Sequence, residues 1–179
     1  MNLLGECYDQ GYGVEKDSGK AFQLYRAAHE KGYVPATCAL GLCYELGTGV
    51  EQDEARAVEL YAKADEGGYL DATCSLGECY ADGRGTQKSS AHAIYLFRKA
   101  AKKGSARGTY LLGTCYEQGV GVDKSVYKAR ELFQEAAGKG YKKAEEALAR
   151  TGSKPAEEPA PAPAPAKEKK GWWPFGRRK

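Results

Sequence analysis

The chain is 179 residues long with a formal charge of +3, and that charge is unevenly placed. From Ser153 onward there are seven Lys/Arg against three Asp/Glu, which leaves the preceding residues near −1. That part offers no basic stripe to displace counterions from nucleic acid, no apolar run approaches the roughly 18 residues of a spanning helix, and no basic-then-apolar leader stands at the N-terminus as written.

Taken in order, the chain opens with Leu4-Gly5 and Cys7-Tyr8, then Gly11 and Gly13, then Asp17, Lys20-Ala21, Leu24 and Ala28. The pattern returns every 36 residues: Leu40-Gly41, Leu76-Gly77 and Leu112-Gly113, followed by Cys43-Tyr44, Cys79-Tyr80 and Cys115-Tyr116. A fixed period of this size marks an array of like supersecondary units. The units run 1–32, 33–68, 69–104 and 105–140.

The second copy shows how one unit reads. Ala36, Leu40, Cys43, Tyr44 and Gly47 fall at helical spacing, and Gly47-Thr48-Gly49 ends that helix because glycine takes the left-handed position without a Cβ clash. Asp53, like Asp17, Ser89 and Ser125, is placed to cap a second helix by accepting a bond from an otherwise unpaired backbone N–H. Ala57, Leu60, Tyr61 and Ala64 form that helix's apolar stripe, and Gly68 stops it. Each unit is therefore a helix-turn-helix. No copy hides its own apolar face, so neighbours must stack.

Met1 aligns with Thr37, so the first unit lacks the opening turn of its first helix, and Leu3 and Leu4 are expected on an uncovered outer face. The expectation is a shortened piece of a longer array. At the other end, 141–152 reads as a capping helix with Ala144 and Leu148 inward and Lys142, Lys143, Glu145, Glu146 and Arg150 outward. A Pro/Ala-rich linker follows at 153–166, expected to be extended and disordered. The basic aromatic tail, 167–179, carries Trp172, Trp173, Phe175, Arg177 and Arg178. Three readings of it stay open: a non-functional end, peripheral contact with an anionic membrane, where tryptophan favours the headgroup level, or docking in another protein's groove through its aromatic anchors.

The unit resembles the Sel1-like repeat, a relative of the tetratricopeptide repeat, through Ala36, Leu40-Gly41, Tyr44, Gly47, Gly49-Val50, Asp53 and Arg56-Ala57, with Lys20-Ala21 and Lys128-Ala129 closer still at the last step. The resemblance covers Met1 to about Gly152. It implies an all-α, right-handed α-solenoid of about four repeats plus a C-terminal capping helix, scaffolding protein complexes without catalytic residues common to the family. It also implies that first helices line the concave face. Departures are Thr86 after the third Gly-x-Gly, Ser89 and Ser125 at the aspartate position, and Gly108 for the leading alanine, a change costing about 1 kcal/mol of helix propensity. A secreted, cysteine-rich branch of the family, reported in part to bind penicillins, pairs cysteines at slots that here are Ala28/Ala36, Ala64/Ala72 and Ala100/Gly108. A small-molecule-binding or hydrolytic protein of that type is the alternative reading.

The six cysteines fill two repeated slots, Cys7/Cys43/Cys79/Cys115 and Cys38/Cys74. They read as small buried hydrophobes in a reducing compartment, and a cytoplasmic location is expected. The repeated Gly-x-Gly follows a helix rather than a strand, so it reads as a helix stop and not a phosphate loop. His29 and His92 occupy different slots, and neither a metal triad nor a nucleophile–base pair assembles around them from sequence. No cofactor, metal or enzymatic activity is expected. A basic row, Lys20/Arg56/His92/Lys128, opposes the second-helix dipoles and is expected to pair with a neighbouring unit or a ligand. The partner groove is assigned to an acidic, partly apolar stripe on the first helices: Glu6, Asp9, Leu42, Glu45, Glu78, Tyr110 and Glu117. Its expected occupant is a basic or amphipathic peptide or protein segment.

Overall fold

The computed structural model describes residues 2–152. The linker and tail, with Trp172, Trp173, Phe175, Arg177 and Arg178, lie outside the described residues. Within them the chain folds as α1 (Asn2–Gln10), α2 (Ser18–Glu30), α3 (Val34–Leu46), α4 (Glu54–Glu66), α5 (Leu70–Asp82), α6 (Ser90–Lys102), α7 (Ala106–Gln118), α8 (Val126–Gly138) and α9 (Lys142–Arg150). No strand occurs among the described residues.

The helix ends follow the expected chemistry. Asp17, Asp53, Ser89 and Ser125 each accept from the backbone N–H three residues on, at 2.9, 2.9, 3.4 and 3.3 Å. Gly47, Gly83 and Gly119 close the first helices in the left-handed region, each N–H donating to the carbonyl of Cys43, Cys79 or Cys115. Gly108, expected to soften the fourth unit, has a local compensation. Ser105 stands where the other first helices begin with a tyrosine, and its hydroxyl accepts from Gly108 N at 3.1 Å. A methyl group at 108 would also meet Ala100 Cβ at 2.6 Å, so the two helices come closer here than an alanine allows.

The buried apolar clusters bridge adjacent units as well as joining the two helices of each unit. One buried cluster joins Ala21, Phe22 and Tyr25 of α2 to Leu40 and Cys43 of α3. The next joins Ala57, Tyr61 and Ala64 of α4 to Ala72, Leu76 and Cys79 of α5. The same arrangement recurs for α6 with α7 and for α8 with α9. Each unit's second helix thus covers the first helix of the unit after it, which is how burial of apolar area links the array.

Two sets of glycines set the spacing. Gly5, Gly41, Gly77 and Gly113 lie under the rings of Tyr25, Tyr61, Phe97 and Phe133; a methyl group there would come within 2.6, 2.9, 2.5 and 2.7 Å of ring carbons. The Leu-Gly pair is therefore a seat for an aromatic ring of the same unit. The second glycine of the turn does a different job. A methyl group on Gly49 would strike Ser18 O, and one on Gly85 would strike Glu54 O, both on the preceding unit's second helix.

Candidate functional site

The first helices line one side of the array. Helices α5 and α7, from adjacent units, touch directly, while no two second helices approach each other to that extent. The first-helix side is therefore the inner curve at that junction.

Along this side the stripe residues are built into cross-unit pairs. The Glu45 carboxylate accepts from the Tyr61 hydroxyl at 2.5 Å and is paired with Arg84 of the next unit's turn. Glu78 is paired with Arg107, whose guanidinium also donates to Asp71 O and Ser75 Oγ, each at 3.3 Å. Glu117 accepts from Arg150 of α9 at 2.7 Å. The glutamates of units two to four therefore do not form a bare acidic row. Each carries an arginine from the following unit, and the surface alternates fixed ion pairs with apolar side chains.

Those apolar side chains are Leu42, 47% exposed, and Tyr110, half-buried, whose ring lies 5.5 Å from Phe133 and 5.2 Å from Tyr141. At the N-terminal end Glu6 is exposed and Asp9 half-buried. The residue matching Arg84 beside Asp9 is Thr48, and Asp9 accepts from Gln10 Nε2 at 2.8 Å. Cys74, which neighbours the stripe on α5, is fully buried, with Sγ 3.7 Å from Ser105 Oγ. It is core rather than surface.

The basic row has a partner that sequence spacing did not supply. Lys20, Arg56 and Lys128 lie over the rings of Tyr8, Tyr44 and Tyr116 in their own units, at 5.3, 5.1 and 5.6 Å, and His92 stacks on Tyr80 at 5.1 Å. Cation–π and ring stacking hold this row to the Cys-Tyr pair of the same unit. The signal was present in the sequence: a base twelve residues after each tyrosine, four times over.

Ser89 Oγ lies 2.8 Å from His92 Nδ1, a contact the sequence reading did not anticipate. The same two positions carry Asp17 with Lys20, joined at 3.0 Å, in the first unit. In these two units the cap side chain also meets the polar side chain three residues on, so the Ser–His contact belongs to capping. His29 makes a different contact, Nδ1 to Thr37 Oγ1 at 2.8 Å across the first junction. Its pKa is held below the ordinary value by burial and then by the Lys63 charge. One unit on, Asp65 fills the same slot and accepts from Thr73 at 2.6 Å and from Lys99 at 2.7 Å.

All six cysteines are free thiols, as expected from their slots. Burial pushes Cys43, Cys74, Cys79 and Cys115 up to about 11 and Cys38 to about 12, which disfavours the nucleophilic thiolate. Among the described residues no group of three or more His, Cys, Asp or Glu side chains is gathered as a metal site. None of the described helices is long and apolar enough to cross a membrane.

The profile of the Sel1 repeat matches the chain at residues 1–33, 34–69, 70–105 and 106–141. A solved Sel1 repeat protein from Oxalobacter formigenes is similar at 39% identity and a TM-score of 0.70, over 83% of this chain and 59% of that one. A protective antigen present in uropathogenic Escherichia coli strains, displaying an SLR fold, is similar at 38% identity and a TM-score of 0.70, over 80% and 31%. Helicobacter pylori cysteine rich protein B is similar at 26% identity and a TM-score of 0.55, over 77% and 99%. The chain thus spans less than two thirds of the length of the first two. No curated protein matches it.

Proposed function

The chain belongs to the Sel1 repeat family, whose members generally mediate protein–protein interaction, and we propose that it is a binding scaffold that seats an amphipathic partner segment along its first helices. The observation that carries this reading is the alternation of apolar side chains with side chains already fixed in ion pairs. Leu42 and Tyr110 offer apolar anchoring points, separated by Glu45–Arg84 and Glu78–Arg107. A surface whose polar groups are held before the partner arrives loses less rotamer freedom on binding. The slot that pairs Glu45 with Arg84 carries Asp9 with Thr48 in the first unit, which favours a basic residue of the partner near Asp9 and gives the bound segment a direction. This narrows the expected acidic, partly apolar stripe to an apolar groove with one acidic end.

Replacing Glu45, Glu78 and Glu117 together would also break three cross-unit pairs, so it confounds binding with folding. Leu42→Glu avoids that, because Leu42 is already half in water. The test is capture from extract with the wild-type chain, identification of the prey, and titration of that purified prey. Leu42→Glu should weaken binding by about tenfold or more, with the thermal midpoint unchanged. Equal affinity of both proteins for the same prey would reject the groove.

A further inference from the structure

We propose that the first-helix groove holds this chain's own segment 167–179 until a partner displaces it, with the aromatic side chains on Leu42 and Leu46 and the bases toward Asp9. The inference rests on the groove reading above and adds a resident occupant. Its first support is the charge of the row. Helices α1, α3, α5 and α7 carry seven carboxylates and a single base, Arg107. Arg84 and Arg150 reach in from elsewhere for Glu45 and Glu117, which still leaves the row acidic. In the second helices bases outnumber carboxylates instead.

The second support is a pair of leucines that stacking does not call for. Leu42 and Leu46 lie one turn apart on α3 and are 47 and 63% exposed. In the other units the first of these slots holds Glu6, Glu78 and Thr114, and the second holds Gln10, Asp82 and Gln118. The array accepts polar side chains at both positions, and the second unit alone makes an apolar patch of them. Acidic surface adjoins that patch. The slot that gives Glu45 its Arg84 gives Asp9 Thr48, two residues beyond Leu46. After burial, Asp9 is the charge that raises the Cys43 thiol of α3, which places the carboxylate close to that helix.

Segment 167–179 has the complementary composition. It holds six bases to one acid, with Trp172, Trp173 and Phe175 between the two groups of bases. Tryptophan and arginine are the side chains that most often anchor such contacts. The reach is sufficient: residues 153–171 span up to about 60 Å at ~3.1 Å each, while α9 to α3 is three first-helix steps of roughly 10 Å. A tether of this length keeps its segment at an effective concentration of about 1 mM. A contact with a dissociation constant of about 0.1 mM is then about 90% formed and lowers a partner's apparent affinity about tenfold.

Trp172 and Trp173 are the chain's two tryptophans, so emission from the full-length chain without any partner reads the segment directly. It should lie at shorter wavelength than that of a synthetic peptide of residues 167–179. Leu42→Ser/Leu46→Ser should return it to the peptide's value. Serine adds no charge that would itself attract the bases, and Thr114 shows that the first slot accepts a hydroxyl. Asp9→Asn should move the emission part of the way and serves if the double variant does not fold. Tyr95→Ser, at a 66% exposed ring on α6 beside Arg98 and Lys99, should leave it unchanged. Amide shifts between the 15N-labelled wild type and Trp172→Ser/Trp173→Ser should gather at Leu42, Leu46 and Thr48. Emission equal to the peptide's, or the same loss on Tyr95→Ser, overturns the proposal. A shift that grows with protein concentration would put the segment on a second copy, and one that requires phosphatidylserine vesicles would put it on a membrane. Either result overturns the proposal as well. The groove itself is judged by the prey titration with Leu42→Glu, so the resident segment can fail while the groove stands.

Discussion

Helices α1 and α9 are both nine residues long and occupy equivalent slots, yet they present opposite faces to water. Leu3 in α1 is 77% exposed, whereas Ala147 in the matching position of α9 is 1% exposed. Leu148, the counterpart of Leu4, packs with Phe133 of α8. At the second-helix slot held by Phe22, Val58 and Ile94, α8 places Arg130 instead, and its guanidinium donates to Thr151 O at 3.4 Å beyond the end of α9. A first helix is therefore buried by the second helix before it, and closing the array requires charged side chains on the exposed side. α9 has both; among the described residues α1 has no covering helix, and its one exposed charged side chain is Glu6. An apolar side chain of a first helix in this fold therefore needs the neighbouring unit as well as its own.

The largest test of that comparison sets one slot against itself. Leu76→Ala empties a packed junction and should cost about 2–5 kcal/mol, while Leu4→Ala should cost well under about 1 kcal/mol in the uncovered position. Chemical denaturation of both variants checks it, and equal losses would dissolve the distinction. The turn glycines give a smaller effect with the same logic. Gly13→Ala meets nothing within 4 Å and pays only for an alanine in the left-handed region, about 1–2 kcal/mol. Gly85→Ala adds a collision with Glu54 O and should exceed it by about 1–3 kcal/mol. Smallest is a pH effect at the first junction. Burial and Lys63 hold the His29 pKa below its ordinary 6.5, so the unfolded chain binds the proton more readily. Stability should therefore fall as pH drops through about 6.5 and level off below the folded value. His29→Gln should remove that component of the slope between wild type and variant, and Asp65 with Lys99, the matching contact one unit on, should not supply it.

Much of this was legible from spacing alone. The caps at Asp17, Asp53, Ser89 and Ser125, the stops at Gly47, Gly83 and Gly119, and the uncovered Leu3 and Leu4 all follow from one unit read four times. The spacing placed the stripe residues on the first helices, but not the ion pairs they make. Glu45 with Arg84, Glu78 with Arg107 and Glu117 with Arg150 are 39, 29 and 33 residues apart, so no common period announces them. The basic row failed for another reason. Its spacing to the tyrosines was regular, yet a charge opposing a helix dipole suggested a partner in a neighbouring unit or a ligand rather than a ring of its own unit.

The sequence by itself determined the unit: its helices, ends, period and the apolar faces that force stacking. These depend on backbone preference and on positions a few residues apart, which a linear pattern records directly. Only the tertiary structure decided which ring rests on Gly41, why Gly49 and Gly85 must remain glycine, and which arginine neutralises each glutamate. Those outcomes depend on the offset with which one unit sits on the next, and that offset is set by the packed volumes at every junction together, not by any separation along the chain.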